Sequence, residues 1–455
     1  MTLTADSPRQ GFALSTHARL AYGLGSLATA TYAMVPGLVL LYYLTNILGV
    51  TAALAGFVVF LPKLLDLVYN PIIGRLSDST VSRLGPRRPW MIAGLVVLPL
   101  GFVSIFHSPV SGNGAAWWVG AALAVTGLGF SAFVIPYSVL PAELGASSEE
   151  RTSMMAWRTA WLGVAMIVVA GMASSFAAAD GGERDEYQVM AFAMSGLIFT
   201  GACGAIYSAR QSTHAAAVTP SLQAGSLRES LSTVRRNRPF RTLLGVFVLI
   251  EVVMSVTLAG LPYLSEQILG SDSALAPLFL CAIGPMLLTM PAWRRAAAVY
   301  GKESCLTVAL SIFGAGALVV AALPNVEHSV RFEVTCAAVL VAGVGFAGAQ
   351  ILPQAMLADT LAADANESGH RRAGVLGGMW SAGETIGSAA GAGIYSFVLA
   401  ASGFVSSTAG DTVSQPRSAQ WGIALGYSAI SLVSVITALS LLRRYAPAED
   451  GQTLG

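Results

Sequence analysis

The chain has 455 residues, 55% of them hydrophobic and only 11% charged, with a formal net charge of +1. Soluble proteins carry about 25% charged residues, so this composition describes a membrane protein, and the lack of a basic excess excludes a nucleic-acid binder. Twelve spans of about 20 residues would use roughly 240; what remains covers longer helices, loops and tails but no separate folded domain, so catalysis or transport must occur within the bilayer.

The first segment, Met1 to about His17, is polar and has no apolar h-region, so it reads as a cytoplasmic lead-in and not a cleaved signal. Apolar runs between polar clusters then predict twelve helices near 18–48, 51–75, 90–108, 117–141, 157–179, 188–208, 240–268, 275–293, 304–323, 334–358, 373–400 and 421–442. Lys and Arg near span ends collect on the cytoplasmic side. With both termini inside, 21 of the 25 basic residues fall there, Arg184, Arg331 and Arg417 lie outside, and Lys63 sits within a span. One miscounted helix would invert every later loop, so this bias supports an even count. The four cysteines (Cys203, Cys281, Cys305, Cys336) lie in or beside apolar segments without a CxxC pair, which suggests neither zinc nor a disulfide framework.

Self-similarity recurs at a nearly fixed offset. GLGFSAFVIPYSVLPAE (Gly127 to Glu143) matches GVGFAGAQILPQAMLAD (Gly343 to Asp359) at an offset of 216. YLTNILG (Tyr43 to Gly49) matches YLSEQILG (Tyr263 to Gly270) with one insertion, and Asn70-Pro71 before Arg75 parallels Met290-Pro291 before Arg294 and Arg295. Span 1 is then equivalent to 7, 2 to 8 and 4 to 10. The expected organisation is a six-helix unit over 1–208, a cytoplasmic central loop over 209–238 and a second six-helix unit over 239–455. Parallel repeats of this kind are found in transporters that bind solute near the midplane and rock to expose it alternately.

Gly74-Arg75-Leu76-Ser77-Asp78, followed by Arg83-Leu84-Gly85-Pro86-Arg87-Arg88-Pro89-Trp90, resembles the loop 2–3 signature of the major facilitator superfamily. More narrowly, YGLGSLA (Tyr22 to Ala28), LLDLVYNPIIGRLSD (Leu64 to Asp78), Glu150 to Ser153 with Trp157-Arg158, and Asn237 to Phe240 resemble the glycoside–pentoside–hexuronide:cation symporters, over nearly the whole chain. The resemblance implies an all-α membrane protein of twelve transmembrane helices in two pseudo-symmetric six-helix bundles. Gly74, Arg75, Asp78, Arg87 and Arg88 would form a conformational switch that clamps helix ends in one state. The same charges also set topology, and both roles stand.

Ionisable residues inside a bilayer carry the most information, because a charge there costs at least ~2.5 kcal/mol and normally faces a cavity or a partner. Asp66 lies mid-span, three residues after Lys63 and four before Asn70, so the three share one helical face. The resemblance makes Asp66 a cation-site aspartate; Asn70 stands where the family often has a second. A carboxamide oxygen can ligate Na⁺ but cannot carry a proton. The alternative is a structural Lys63–Asp66 pair. Glu251 in span 7 and Glu384 in span 11 are further buried acids, and Glu384 beside Thr385 occupies a segment where the family usually has a lysine. Removal from water favours the neutral form of a carboxyl group, which suggests proton linkage; hydrogen bonding to a neighbouring helix is the alternative.

Sugar recognition in the resembled family leans on acids in spans 1 and 4 and an Arg in span 5. Here Thr29-Ala30 and Val134 occupy the acid positions, and only Arg158 is retained. That favours a less hydroxylated, more apolar or anionic ligand with Arg158 as donor, unless Arg158 is a cytoplasmic-end anchor. Tyr137 and Trp380, with Tyr32, Tyr42 and Tyr263, are candidates to stack on a ring, although such aromatics often only pack. GVGFAG (Gly343 to Gly348) fits GxGxxG but no strand precedes it, so a nucleotide reading fails. HExxH, GxSxG and Walker A motifs are absent, so neither an enzyme nor ATP-driven transport is expected, and no cofactor beyond a coupling ion, H⁺ or Na⁺. The expectation is a monomer in the cell membrane with both termini cytoplasmic, performing cation-coupled symport of a small organic solute, a sugar or glycoside among the candidates. Proton-linked export or exchange of an amphipathic or anionic compound is the alternative.

Overall fold

The computed structural model describes residues 15–144, 148–177, 184–210, 235, 237–368, 373–408 and 414–445. Most of the expected central loop (211–234 and 236) and the first fourteen residues lie outside the described residues. Those described are helical apart from short connections and one isolated bridge. The long helices are α1 (Thr16–Val35), α2 (Ala52–Ser79), α3 (Arg88–Phe106), α4 (Asn113–Leu144), α5 (Ser148–Ala177), α6 (Arg184–Ser208), α7 (Arg238–Tyr263), α8 (Leu275–Tyr300), α9 (Lys302–Ala322), α10 (His328–Ser368), α11 (Ala373–Ala401) and α12 (Arg417–Leu442). Among the described residues ten helices are long and apolar enough to cross a membrane; α5 and α11 are outside that group. The chain is therefore a multi-pass membrane protein.

Local chemistry sets the helix boundaries. Ser15 caps α1 by accepting from the Ala18 amide at 3.2 Å, and Asn237 caps α7 by accepting from the Phe240 amide at 2.9 Å. Gly301, at φ +85°, adopts a conformation that disfavours any side chain, and it separates α8 from α9 in a single residue. The sequence reads Tyr43–Gly49 and Tyr263–Gly270 as copies, and the backbone repeats as well. Tyr43–Ile47 and Leu264–Ile268 are both π-helical turns. Each is closed by a 3.0 Å bond, Leu48 amide to Tyr43 carbonyl and Leu269 amide to Leu264 carbonyl, and each is followed by a glycine at φ +71° or +67°. A further π-turn, Pro36–Leu40, has no sequence forewarning.

Helix pairing repeats at an interval of six. α1 packs on α5 and α6, as α7 does on α11 and α12; α4 packs on α2 and α3, as α10 does on α8 and α9. Glycines allow the close approaches. A Cβ at Gly129 would lie 2.8 Å from the Leu98 amide of α3, and one at Gly345 would lie 2.5 Å from the Phe313 amide of α9. The offset-216 repeat therefore marks two equivalent helix crossings.

Across the halves α2 meets α11 and α5 meets α8. At one end the contact is tight. The Thr45 and Tyr263 hydroxyls are 2.7 Å apart, the Ser407 amide donates to the Thr45 carbonyl at 2.9 Å, Leu48 and Thr408 form a bridge, and Ser396 Oγ donates to the Ala52 carbonyl. At the other end Arg75 and Leu76 of α2 and Ser381 and Glu384 of α11 are exposed. Polar contacts thus tie the two sets of helices together around Thr45 and Ser407, while these residues of α2 and α11 are exposed toward the end where the basic loop 80–87 lies.

Candidate functional site

Halfway along α2, Lys63, Asp66 and Asn70 share one face, while Phe57, Leu61, Val68 and Ile72 expose a separate apolar face suited to lipid. Pro62 and Pro71 flank the acid. Proline has no amide hydrogen, so Pro71 cannot donate to the Leu67 carbonyl next to Asp66. Asp66 Oδ1 and Asn70 Oδ1 are both buried and have no hydrogen-bond partner. The carboxylate rests against α4 at Gly127, near Tyr32 of α1, whose ring stacks on Phe130 at 4.1 Å. Two orphaned oxygens one turn apart, one of them anionic, form a donor set suited to a small hard cation.

Lys63 does not pair with Asp66 by hydrogen bond. Its Nζ reaches across to the second half and donates to Ser388 Oγ of α11 at 3.5 Å. The carboxylates within electrostatic range of it are Asp66, Glu251 and Glu384. Glu251 is buried on α7, close to the Gln350 side chain of α10, and is pressed by α11, where a Cβ at Gly387 would stand 2.7 Å from the Glu251 Cβ. Glu384 is exposed and lies off the apolar face formed by Ile386, Ile394 and Phe397. The sequence reading names all four charged residues, and the structure brings them to one place; Ser388, Gln350 and Gly127 were missed as parts of it. Ser388 is one turn beyond Glu384, a spacing that offered a signal.

The other candidates lie elsewhere. Tyr137 has no exposed surface: it stacks on Tyr22 at 4.8 Å, and its hydroxyl donates to the Tyr22 carbonyl at 2.9 Å. Arg158 holds its guanidinium carbon 5.2 Å from the Tyr137 ring centre, and its carbonyl accepts from Ser26 Oγ at 2.8 Å. Trp380 is 4% exposed and stacks on Phe247 at 3.9 Å. These rings close helix contacts in this conformation and do not line an opening, because each is matched by an aromatic on the adjoining helix. In the loop after α2, Arg87 donates to Ser77 Oγ at 2.9 Å and Trp90 to Thr80 Oγ1 at 2.8 Å, around Gly85 at φ +83°. Arg88 begins α3 with its Nε buried and unpartnered, Arg75 is exposed, and Gly74 lies against Ile135 of α4. The side chain of Asp78 lies outside the described residues.

Known proteins place this architecture. An uncharacterized symporter of Synechocystis sp. is 24% identical over 89% of each chain. The glucuronide carrier protein homolog of Escherichia coli is 24% identical over 86% of this chain and 85% of its own. The crystal structure of a D-xylose-proton symporter superposes with a TM-score of 0.68 at 12% identity, over 96% of this chain and 99% of that one, which identifies the fold. The MFS/sugar transport protein family matches residues 21–447, and the chain belongs to that family.

Proposed function

We propose that the protein is a secondary transporter that couples the movement of a cation, H⁺ or Na⁺, to symport of a small organic solute by alternating access. In this reading twelve spans form two six-helix bundles, 1–208 and 239–455, joined by the 209–238 loop and set in the cell membrane as a monomer with both termini cytoplasmic. The observation that carries it is the pair of buried, unpartnered oxygens on Asp66 and Asn70 of α2, the helix that packs on α11. A cation bound there neutralises the acid and alters the electrostatic balance between the halves. In this reading the basic loop 80–87 faces the cytoplasm by the positive-inside bias, and Gly74, Arg75, Asp78, Arg87 and Arg88 form the switch at that end.

The family description and the name of the glucuronide carrier homolog support a sugar or glycoside as solute. Proton-linked export or exchange of an amphipathic compound is a second reading, favoured by the exposed Glu384 within electrostatic range of Glu251. An anionic solute bound by Arg158 has less support, because that guanidinium already lies over Tyr137. Uptake of a labelled sugar panel into proteoliposomes, with Na⁺ or proton gradients imposed separately, tests the proposal. Asp66→Asn should abolish dependence on the coupling ion; unchanged sodium and pH dependence in that variant removes Asp66 from the role.

A further inference from the structure

Three carboxylates from three helices, Asp66 on α2, Glu251 on α7 and Glu384 on α11, lie within electrostatic reach of a single ammonium group. That group belongs to the first half, yet its hydrogen bond goes to Ser388 in the second, 325 residues away. Meanwhile Asp66, one turn along the same face, keeps a buried oxygen without a partner. The lysine stem is long and rotatable, so its charge can lie toward either side without movement of α2.

We infer that Lys63 is a tethered internal cation that competes with the coupling ion for Asp66 and, when displaced, carries its charge to Glu384 and Glu251 across the interface. The inference rests on the reading of Asp66 as the ion site. With no ion bound, Lys63 neutralises Asp66 within the first half. Ion entry makes that neutralisation redundant, and the ammonium group turns to the second half, adding an attraction between α2 and α11. The bond from Lys63 Nζ to Ser388 Oγ shows that the ammonium group can reach the second half from its place on α2. Arg158 offers no substitute, because it sits within the first half over Tyr137.

The two sides of the competition respond with opposite signs, which a purely structural role for Lys63 would not produce. Purified protein in lipid nanodiscs is titrated with Na⁺ replacing choline at constant ionic strength, and in parallel with protons, using thermal unfolding as the binding readout. A pair of labels at Leu76→Cys and Ser381→Cys, in a background free of the native cysteines, reports the distance between α2 and α11. Lys63→Gln should tighten cation binding about 10-fold, since a neighbouring positive charge disfavours a second cation at a carboxylate by at least that factor. It should also abolish the ion-driven change in label distance. Glu384→Gln removes the acceptor for the displaced lysine and should weaken cation binding. Lys63→Arg, which keeps the charge, should restore the label response lost in Lys63→Gln. Shifts of the same sign in the Gln variants, or no shift in either, overturn the inference while leaving Asp66 as the ion site. An Asp66→Asn variant that binds the ion like the wild type overturns the site reading and the inference with it. If Lys63→Gln does not fold, the sign of the Glu384→Gln shift decides alone.

Discussion

Asp66 and Gly127 are fitted to one another: a Cβ built on Gly127 would come within 2.8 Å of Asp66 Oδ1 and 3.4 Å of the Tyr32 hydroxyl. The carboxylate occupies the niche left by the missing side chain. The equivalent glycine of the second half, Gly343, instead receives the Cys281 and Ala282 carbonyls and Pro285 of α8, so the same crossing meets an acid in one half and backbone carbonyls and a proline in the other.

Gly127→Ala should therefore displace the carboxylate. Overpacking of this size costs about 1–3 kcal/mol, and the response of thermal unfolding to Na⁺ or protons should weaken with it. Gly129→Ala, two residues away, would press on the Leu98 amide of α3 and should lower stability comparably while leaving the ion response intact. Equal ion responses in the two variants would separate Gly127 from the site.

The helices and their pairing were legible because a bilayer imposes length and apolarity on each span, and because the repeat fixes equivalent crossings at glycines such as Gly129 and Gly345. Less of the site was legible. The face shared by Lys63, Asp66 and Asn70 follows from helical spacing, but nothing in a linear sequence ties Lys63 to Ser388 in the other half. Spans apolar on all sides also hide which aromatic faces inward, so Tyr137 and Trp380 read as cavity walls although each is closed off by a partner ring. The π-turns at 36–40, 43–47 and 264–268 add so little to the helical period that the apolar pattern does not mark them.

Arg158 gives a sharper test of what the first half can bind. Its guanidinium over Tyr137 is worth about 0.5–2 kcal/mol as a cation–π contact. Arg158→Met should lower the unfolding temperature, and Tyr137→Leu should lower it further by removing the stack on Tyr22 as well. If the two residues act as a packed pair, the double variant loses less than the sum of the single ones. Additive losses in that cycle would release Arg158 for ligand contact.

Two of the polar contacts at the end of α10 differ in strength. Lys302 meets Asp359 at 2.5 Å, but the side chains are 36% and 60% exposed, and exposed ion pairs contribute about 0–1 kcal/mol and are screened by salt. Asn237 both caps α7 and donates to Asp364 Oδ1 at 2.9 Å, and loss of a cap costs about 0.5–2 kcal/mol. Asn237→Ala should accordingly destabilise the protein more than Lys302→Ala, and only the Lys302 effect should fade at high salt.

The joined end of the halves should answer to a single hydroxyl. Tyr263 is fully buried, its ring meets Tyr42 edge-on at 5.3 Å, and its hydroxyl lies 2.7 Å from that of Thr45. Tyr263→Phe keeps the ring and removes the bond, while Thr45 retains its contact with the Leu41 carbonyl at 3.1 Å, so no hydroxyl is left without a partner. The loss is that of one ordinary buried hydrogen bond, about 1 kcal/mol. It falls on the joined conformation alone and should raise the population opened at this end about 5-fold. A Thr408→Cys reporter beside the Leu48 bridge, with the four native cysteines replaced, should then react about 5-fold faster with a membrane-impermeant maleimide. An unchanged rate would show that the bridge and the Ser407 contacts hold this end closed without the tyrosine hydroxyl.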